Sequence, residues 1–272
     1  MGQELTVLKL GGSLLTDKTK PYVIRKDVLE SAAREIKECI SEGLIQSLIL
    51  VHGVGSYGHP LVLEHQLHKG FQSTDQILPI AKTQAKVNEF RQIIVKQFHD
   101  IDIPMVLLHP SSMIISEKMR MTNYFLDALR SFVDLKTVPL LGGDMLIDSV
   151  MGWSVGSGDQ LAVLLAKELG AKKLIFASDV SGIYDADPKK ISDALPIERI
   201  NLNELNATLE RMGVSGVTDA SGAMKGKLKS IVPVKSEIEK GLDVGLISMM
   251  TYGNLKLFLK GEEVQHTRVS VE

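Results

Sequence analysis

Cysteine is almost missing from this chain. Cys39 is the only one among 272 residues, so no internal disulfide can form and nothing suggests a zinc site. It falls in a helical pattern and reads as a small buried hydrophobe. Long apolar runs are missing too, since none approaches the roughly 20 residues that span a bilayer. Met1–Leu10 lacks the basic-then-apolar pattern of a secretory signal. The expected location is the cytoplasm, with no membrane partner. Charge of one sign is not in excess either. The 31 Lys and Arg residues against 33 Asp and Glu give a net charge of −2, which offers no footprint for nucleic acid or an anionic surface. Internal repeats, low-complexity tracts and Pro-, Gly- or Ser-rich linkers are also missing, which argues for one continuous fold.

Two nucleotide-binding signatures are missing as well. No G-x-x-x-x-G-K-S/T sequence occurs, and no G-x-G-x-x-G follows the first strand. Gly53, Gly55 and Gly58 do fit that spacing, but they follow the second strand and lack an acidic partner at the expected offset.

What is present is a strand–helix alternation. Leu5–Leu10, Ser47–Val51, Met105–Leu108, Thr137–Leu141 and Lys173–Ala177 read as strands. Asp27–Glu42, Ile77–Asp100, Asn123–Phe132, Gln160–Leu169, Leu202–Met212 and Lys225–Gly241 read as helices, the last bent or broken at Pro233. Ser112–Ile115 reads as a short extended piece and Gly213–Gly222 as a loop. Val244–Met249, Leu255–Leu259 and Arg268–Val271 read as closing strands with an antiparallel edge. The pattern predicts an α/β fold, a mainly parallel sheet with helices on both faces. Its two functional halves divide near Val150.

Glycine clusters sit at the ends of these strands: Gly11-Gly12-Ser13, Gly53-Val54-Gly55, Gly142-Gly143 and, before a helix, Gly156-Ser157-Gly158-Asp159. Parallel strands bring their C-terminal ends to one edge. Lys9, Gly11, Gly12, Gly53, Gly55, His59, Asp159 and Asp179 therefore converge on one crevice. Lys9 is costly to bury without an anion to receive it. Glycine turns bring backbone N–H groups close to a bound group, and His59 adds a donor that charges near neutral pH. Such an inventory suits two phosphorylated groups held end to end. Taken alone, the stretch at 51–60 equally suits a plain strand-to-helix turn with a surface histidine. Lys18 alone is a solvated loop residue, and Lys225, Lys227 and Lys229 suit a solvated helix face. His65, His68, His99, His109 and His266 read as surface or satisfied core residues, and Trp153 and the methionines as packing.

Lys9-Leu10-Gly11-Gly12-Ser13, Gly158-Asp159, the stretch Ser178 to Pro188 and Gly222-Ala223-Met224-Lys225-Gly226-Lys227 together resemble the amino acid kinase family, in the family's order and over almost the whole chain. His52 to His59 narrows the resemblance to the branch, of archaeal type, that acts on isopentenyl phosphate; fosfomycin kinases share the histidine, and a non-catalytic nucleotide-binding sensor of the same fold is the alternative to an enzyme. The resemblance implies a three-layer αβα sandwich with an open, mainly parallel sheet, of the carbamate kinase-like kind. It also implies a homodimer formed through the N-terminal half. ATP would be the donor, with magnesium carried on its phosphates, and isopentenyl phosphate the acceptor. Residues 1–150 would hold the acceptor and 151–272 the nucleotide. By the same resemblance Lys9, Lys18 and Lys227 serve the transferring group and Asp159 orients the lysines. Gly53, Val54, Gly55, His59 and Gly158 seat the acceptor phosphate. Gly11, Gly12, Ser13, Gly55, Asp179, Gly182, Tyr184 and Gly222 fall to the nucleotide. Three departures stand out: Val54 and Ala223 replace glycines usual in the family, and Ser221 a threonine.

Overall fold

Alternation along the first strand decides how the molecule is layered. β1 (Leu5–Leu10) is buried at every position. Leu5 and Val7 pack into one core, while Leu8 and Leu10 pack into another on the opposite face. A strand buried on both faces needs helices on both.

The computed structural model describes residues 3–17, 19–186, 188, 191–214 and 223–272. After β1 come α1 (Gly12–Leu15), α2 (Lys26–Ser41), β2 (Ser47–His52), α3 (His59–Glu64) and α4 (Ile77–His99). β3 (Met105–Leu107), β4 (Ile114–Glu117), β5 (Arg120–Tyr124), α5 (Asp127–Asp134), β6 (Val138–Gly142), β7 (Asp144–Asp148) and β8 (Gly152–Gly156) follow. α6 (Gly158–Glu168) leads to β9 (Lys173–Ser178), then the short β10 (Ile183–Tyr184), β11 (Pro196–Ile197) and β12 (Arg199–Asn201). The chain closes with α7 (Leu205–Val214), α8 (Ala223–Ile231), α9 (Lys235–Glu239), β13 (Asp243–Ser248), α10 (Asn254–Lys260) and β14 (His266–Ser270).

The main sheet runs β12-β14-β13-β9-β1-β2-β6-β3. Its pairs are parallel except β13 with β14, which supplies the expected antiparallel edge. The chain leaves β1 toward β2 on one side and later returns to β9 on the other. β1 is thus the switch point, where open α/β sheets present their ligand crevice. α5, α6 and α8 bury Leu129, Leu161, Leu165 and Leu228 on the face of Leu5 and Val7. α2, α4 and α10 bury Ile36, Phe90, Ile94 and Phe258 on the other. Each such side chain is worth about 1.5–3 kcal/mol of transfer free energy.

Several elements differ from their sequence reading. Asn123–Phe132 is not one helix: Asn123 and Tyr124 end β5, and the helix starts at Asp127. β5, β4, β7 and β8 form a separate four-stranded sheet that the pattern did not reveal. Leu255–Leu259 is helical, not a strand. The buried carboxylate of Glu35, on α2, accepts the N–H groups of Leu255 at 2.7 Å and Lys256 at 3.1 Å, which satisfies donors a helix start leaves open. Leu202–Met212 begins as a 3-10 turn at Leu202–Glu204, and its helix runs on to Val214. Of the expected loop Gly213–Gly222, residues 215–222 lie outside the described residues. Pro233 does break the helix, sitting in a 3-10 turn between α8 and α9. Cys39 is fully buried, and burial pushes its thiol up to about 12. Among the described residues, no helix is long and apolar enough to cross a membrane.

Candidate active site

Because side chains alternate, Lys9 points to the same face as Leu5 and Val7, the face on which α6 packs. It lies in register between Val51 on β2 and Phe176 on β9. Its Nζ meets Oδ1 of Asp159, in the first turn of α6, at 2.8 Å. Lys227, on α8, reaches the same carboxylate at 3.1 Å and 3.2 Å and rests over the Phe176 ring, 4.9 Å from its centroid. Ser157 caps α6 by accepting the Asp159 N–H at 3.2 Å, which fixes where the carboxylate starts.

Two ammonium groups against one carboxylate leave this trio with one unpaired positive charge. Burial pushes the Asp159 carboxyl up, but Lys9 and Lys227 outweigh it and hold the group well below the usual carboxylate range. Lys227 is pushed down to about 8 by burial and then by the charge of Lys9, against the pull of Asp159. The trio favours an incoming anion. Ser157, Asp159, Gln160, Lys227, Lys229 and Ser230 line a cleft of about 440 Å³.

The two glycine turns meet beside it. A Cβ on Gly12 would lie 2.5 Å from Gly55 N, and one on Gly53 would lie 2.6 Å from Gly12 N. Gly55 has φ +48°, a conformation that also favours glycine. Thr16 bridges the turns: its hydroxyl donates to Gly12 O at 2.7 Å and accepts the Ser56 N–H at 3.0 Å. Here the glycines serve first to let two backbones touch. Gly158 belongs to the same junction, since its Cβ would lie 2.8 Å from His52 O. Val54 is accommodated between Gly58 and Gly143, whose missing side chains leave it room.

Gly11 anchors the first turn by donating to Ala177 O at 2.8 Å. Ser13 donates to Asp179 Oδ1 at 2.7 Å, which joins that turn to the end of β9. Gly182, at φ +143°, packs on Thr267 of β14, and Tyr184 is half-buried in β10. His59 is exposed at the first position of α3. Lys18, Ser221 and Gly222 lie outside the described residues. Ala223 opens α8.

Sequence reasoning missed Thr16, Ser157 and a buried group around Arg91. Thr16 and Ser157 each stand within four residues of a glycine turn, which was a usable signal. Arg91 falls on the apolar stripe of α4, where a charged residue is out of pattern.

Fold and site together define an α/β protein of the phosphoryl-binding kind, with its cations and glycine turns gathered at the switch point of a parallel sheet. The chain belongs to the amino acid kinase family, whose sequence profile matches residues 4–238. It is 33% identical to isopentenyl phosphate kinase of Methanocaldococcus jannaschii over 84% of this chain and 86% of that one. It is 31% identical to the enzyme of the same name from Methanothermobacter thermautotrophicus, over 98% of this chain and 99% of that one. A solved isopentenyl phosphate kinase superposes with a TM-score of 0.81 at 29% identity, covering 98% of this chain and 100% of its own.

Proposed function

We propose that this protein transfers the γ-phosphoryl group of ATP to the phosphate of isopentenyl phosphate, giving isopentenyl diphosphate by direct in-line displacement. One observation carries the chemistry: Asp159 holds Lys9 and Lys227 together beside the junction of two glycine turns. The similarity to isopentenyl phosphate kinases along nearly the whole chain supports the choice of acceptor.

A phosphate monoester is already a dianion near neutral pH, so its oxygen attacks without a general base. The obstacle is bringing two polyanions together, which positioning and charge neutralisation overcome. Lys9 and Lys227 take the transferring group, Asp159 orients them, and Lys18 adds a further cation. The Gly53-Val54-Gly55 turn, Gly158 and His59 seat the acceptor phosphate. Gly11, Gly12, Ser13, Asp179, Gly182, Tyr184 and Gly222 serve the nucleotide. Residues 1–150 act as the acceptor half and 151–272 as the nucleotide half.

The donors here are ammonium and backbone N–H groups, which fit the phosphates of a nucleotide. The carboxylates of Asp159 and Asp179 are engaged by Lys9, Lys227 and Ser13. Magnesium would fit this site carried on the phosphates of the nucleotide, and the chemistry it would supply is charge neutralisation. A homodimer is supported by exposed apolar side chains in the N-terminal half, such as Ile115 and Ile147, which pair across β4 and β7.

The test is ADP release with isopentenyl phosphate, dimethylallyl phosphate, fosfomycin and UMP offered separately as acceptors. Release with the two prenyl phosphates, far above the others, is expected. Preferential turnover of fosfomycin or UMP overturns the acceptor, and no acceptor-dependent release overturns the activity.

A further inference from the structure

Arg91 has the largest fully buried side chain among the described residues. It stands on the inward stripe of α4, beside Phe90 and Ile94. A guanidinium there must find acceptors for five N–H donors. Its Nε donates to Nε2 of His52 at 3.3 Å. One terminal nitrogen donates to Asn88 Oδ1 at 2.8 Å and faces Nδ1 of His109 at 3.3 Å. The other donates to Gly143 O at 2.9 Å and lies 3.4 Å from Asp144 Oδ2.

Charge balance needs Asp144 alone. The bonds to His52 and Gly143 instead fall on the segments that build the acceptor seat. His52 directly precedes Gly53, and its carbonyl accepts the Gly143 N–H at 3.1 Å. That same oxygen is the atom Gly158 approaches so closely. His52, Gly53, Gly143 and Gly158 are thus one close-packed knot, and Asp159 follows it in the chain.

Elementary donor counting fixes the state of His52. Arginine only donates, so Nε2 is the acceptor and the ring proton sits on Nδ1, which faces Gly53 O at 3.3 Å. The ring is neutral, because burial and then the charge of Arg91 push it down to about 3. A neutral ring in one tautomer acts as a strut between Arg91 and the first residue of the loop.

We propose that Arg91 is a positioning residue for the acceptor phosphate: through His52 and Gly143 it fixes the Gly53–Gly55 turn against the start of α6. The kinetic part of this inference rests on the function proposed above.

Arg91→Met keeps much of the side-chain length and removes the charge and every donor. Arg91→Lys keeps a cation for Asp144 but not the fork that reaches His52 and Gly143 together. In both variants acceptor kcat/KM should fall on the order of 10- to 100-fold through a raised KM, with the ATP KM unchanged. Arg91→Lys should recover melting temperature without recovering acceptor KM. A folded Arg91→Met with wild-type acceptor KM, or an Arg91→Lys that restores both, overturns the proposal. Should Arg91→Met fail to fold, His52→Leu reads the strut alone, with the same expectations. Amide hydrogen exchange gives a readout independent of turnover. Exchange at 53–58 and 142–145 should quicken in the Arg91→Lys and His52→Leu variants while 9–13 hold. Uniform quickening, or none, overturns the role. If the wild-type protein does not phosphorylate isopentenyl phosphate, the acceptor assignment fails, and exchange alone decides the inference.

Discussion

Replacing Asp159 by Asn keeps the shape of the residue between Lys9 and Lys227 and removes only its charge. In the native site Lys227 is pushed down to about 8 by burial and the charge of Lys9, and Asp159 is the group that pulls it back up. An opposite charge at hydrogen-bond distance is worth about 1–3 pKa units, so in Asp159→Asn the lysine should titrate at a lower pH than in the native protein. The active form is the protonated one: its contribution is present below the pKa and lost as pH rises through it. At neutral pH native Lys227, pushed down to about 8, still carries its proton for the most part; the variant carries it less. The assay is kcat/KM for ATP across pH 5.5–9.5, which reports groups of the free enzyme. Its alkaline fall should move about 1–3 units toward acid in the variant. kcat should shift less, since bound polyphosphate restores the proton. If a folded Asp159→Asn keeps its alkaline midpoint near 8, Asp159 does not tune Lys227 and the electrostatic reasoning fails.

Gly12→Ala should destabilise by about 1–3 kcal/mol, because its Cβ would press on Gly55 N at 2.5 Å and Gly55 Cα at 2.7 Å; thermal melting reads this, and an unchanged melting temperature means the turns are not in contact. His59→Ala should lower acceptor kcat/KM by about 1.5–3 kcal/mol if the lost bond is charge-assisted, with the ATP KM steady and partial recovery in His59→Gln; unchanged acceptor kinetics make His59 a bystander. Cys39 should resist thiol reagents at pH 8 until the protein unfolds, since burial holds its thiol near 12; rapid labelling of the folded protein contradicts that burial.

Much of the site was legible because it follows from strand-end chemistry. A lysine at the end of an apolar strand, followed by two glycines, already demands an anion and a close approach. Long helices and buried parallel strands were equally plain, their periodicities extending over many residues. What escaped depends on partners distant in sequence. Leu-Lys-Leu-Phe-Leu at 255–259 alternates as a strand would, and the helix is started there by Glu35, 220 residues upstream. β4, β5, β7 and β8 have only four or five residues each, and exposed Ile115 and Ile147 blur their alternation. On α4 Arg91 shares the inward stripe with Val87, Ile94 and Phe98, while Ile93 is 39% exposed. Hydrophobicity alone could not show that His52, Gly143 and Asp144 wait beneath that helix. Asp159 stood out after a glycine cluster at a helix start, whereas Lys227 was named only through the family resemblance. Only the fold shows that they touch across 68 residues of chain.

In the proposed reaction the phosphoryl group goes from ATP onto a phosphate, not onto water or a hydroxyl. Phosphorus NMR of the protein mixed with ATP, magnesium and isopentenyl phosphate tests it directly. The monoester resonance should disappear as two coupled diphosphate resonances grow in step with ADP. Inorganic phosphate appearing with ADP while the monoester resonance stays intact would contradict it.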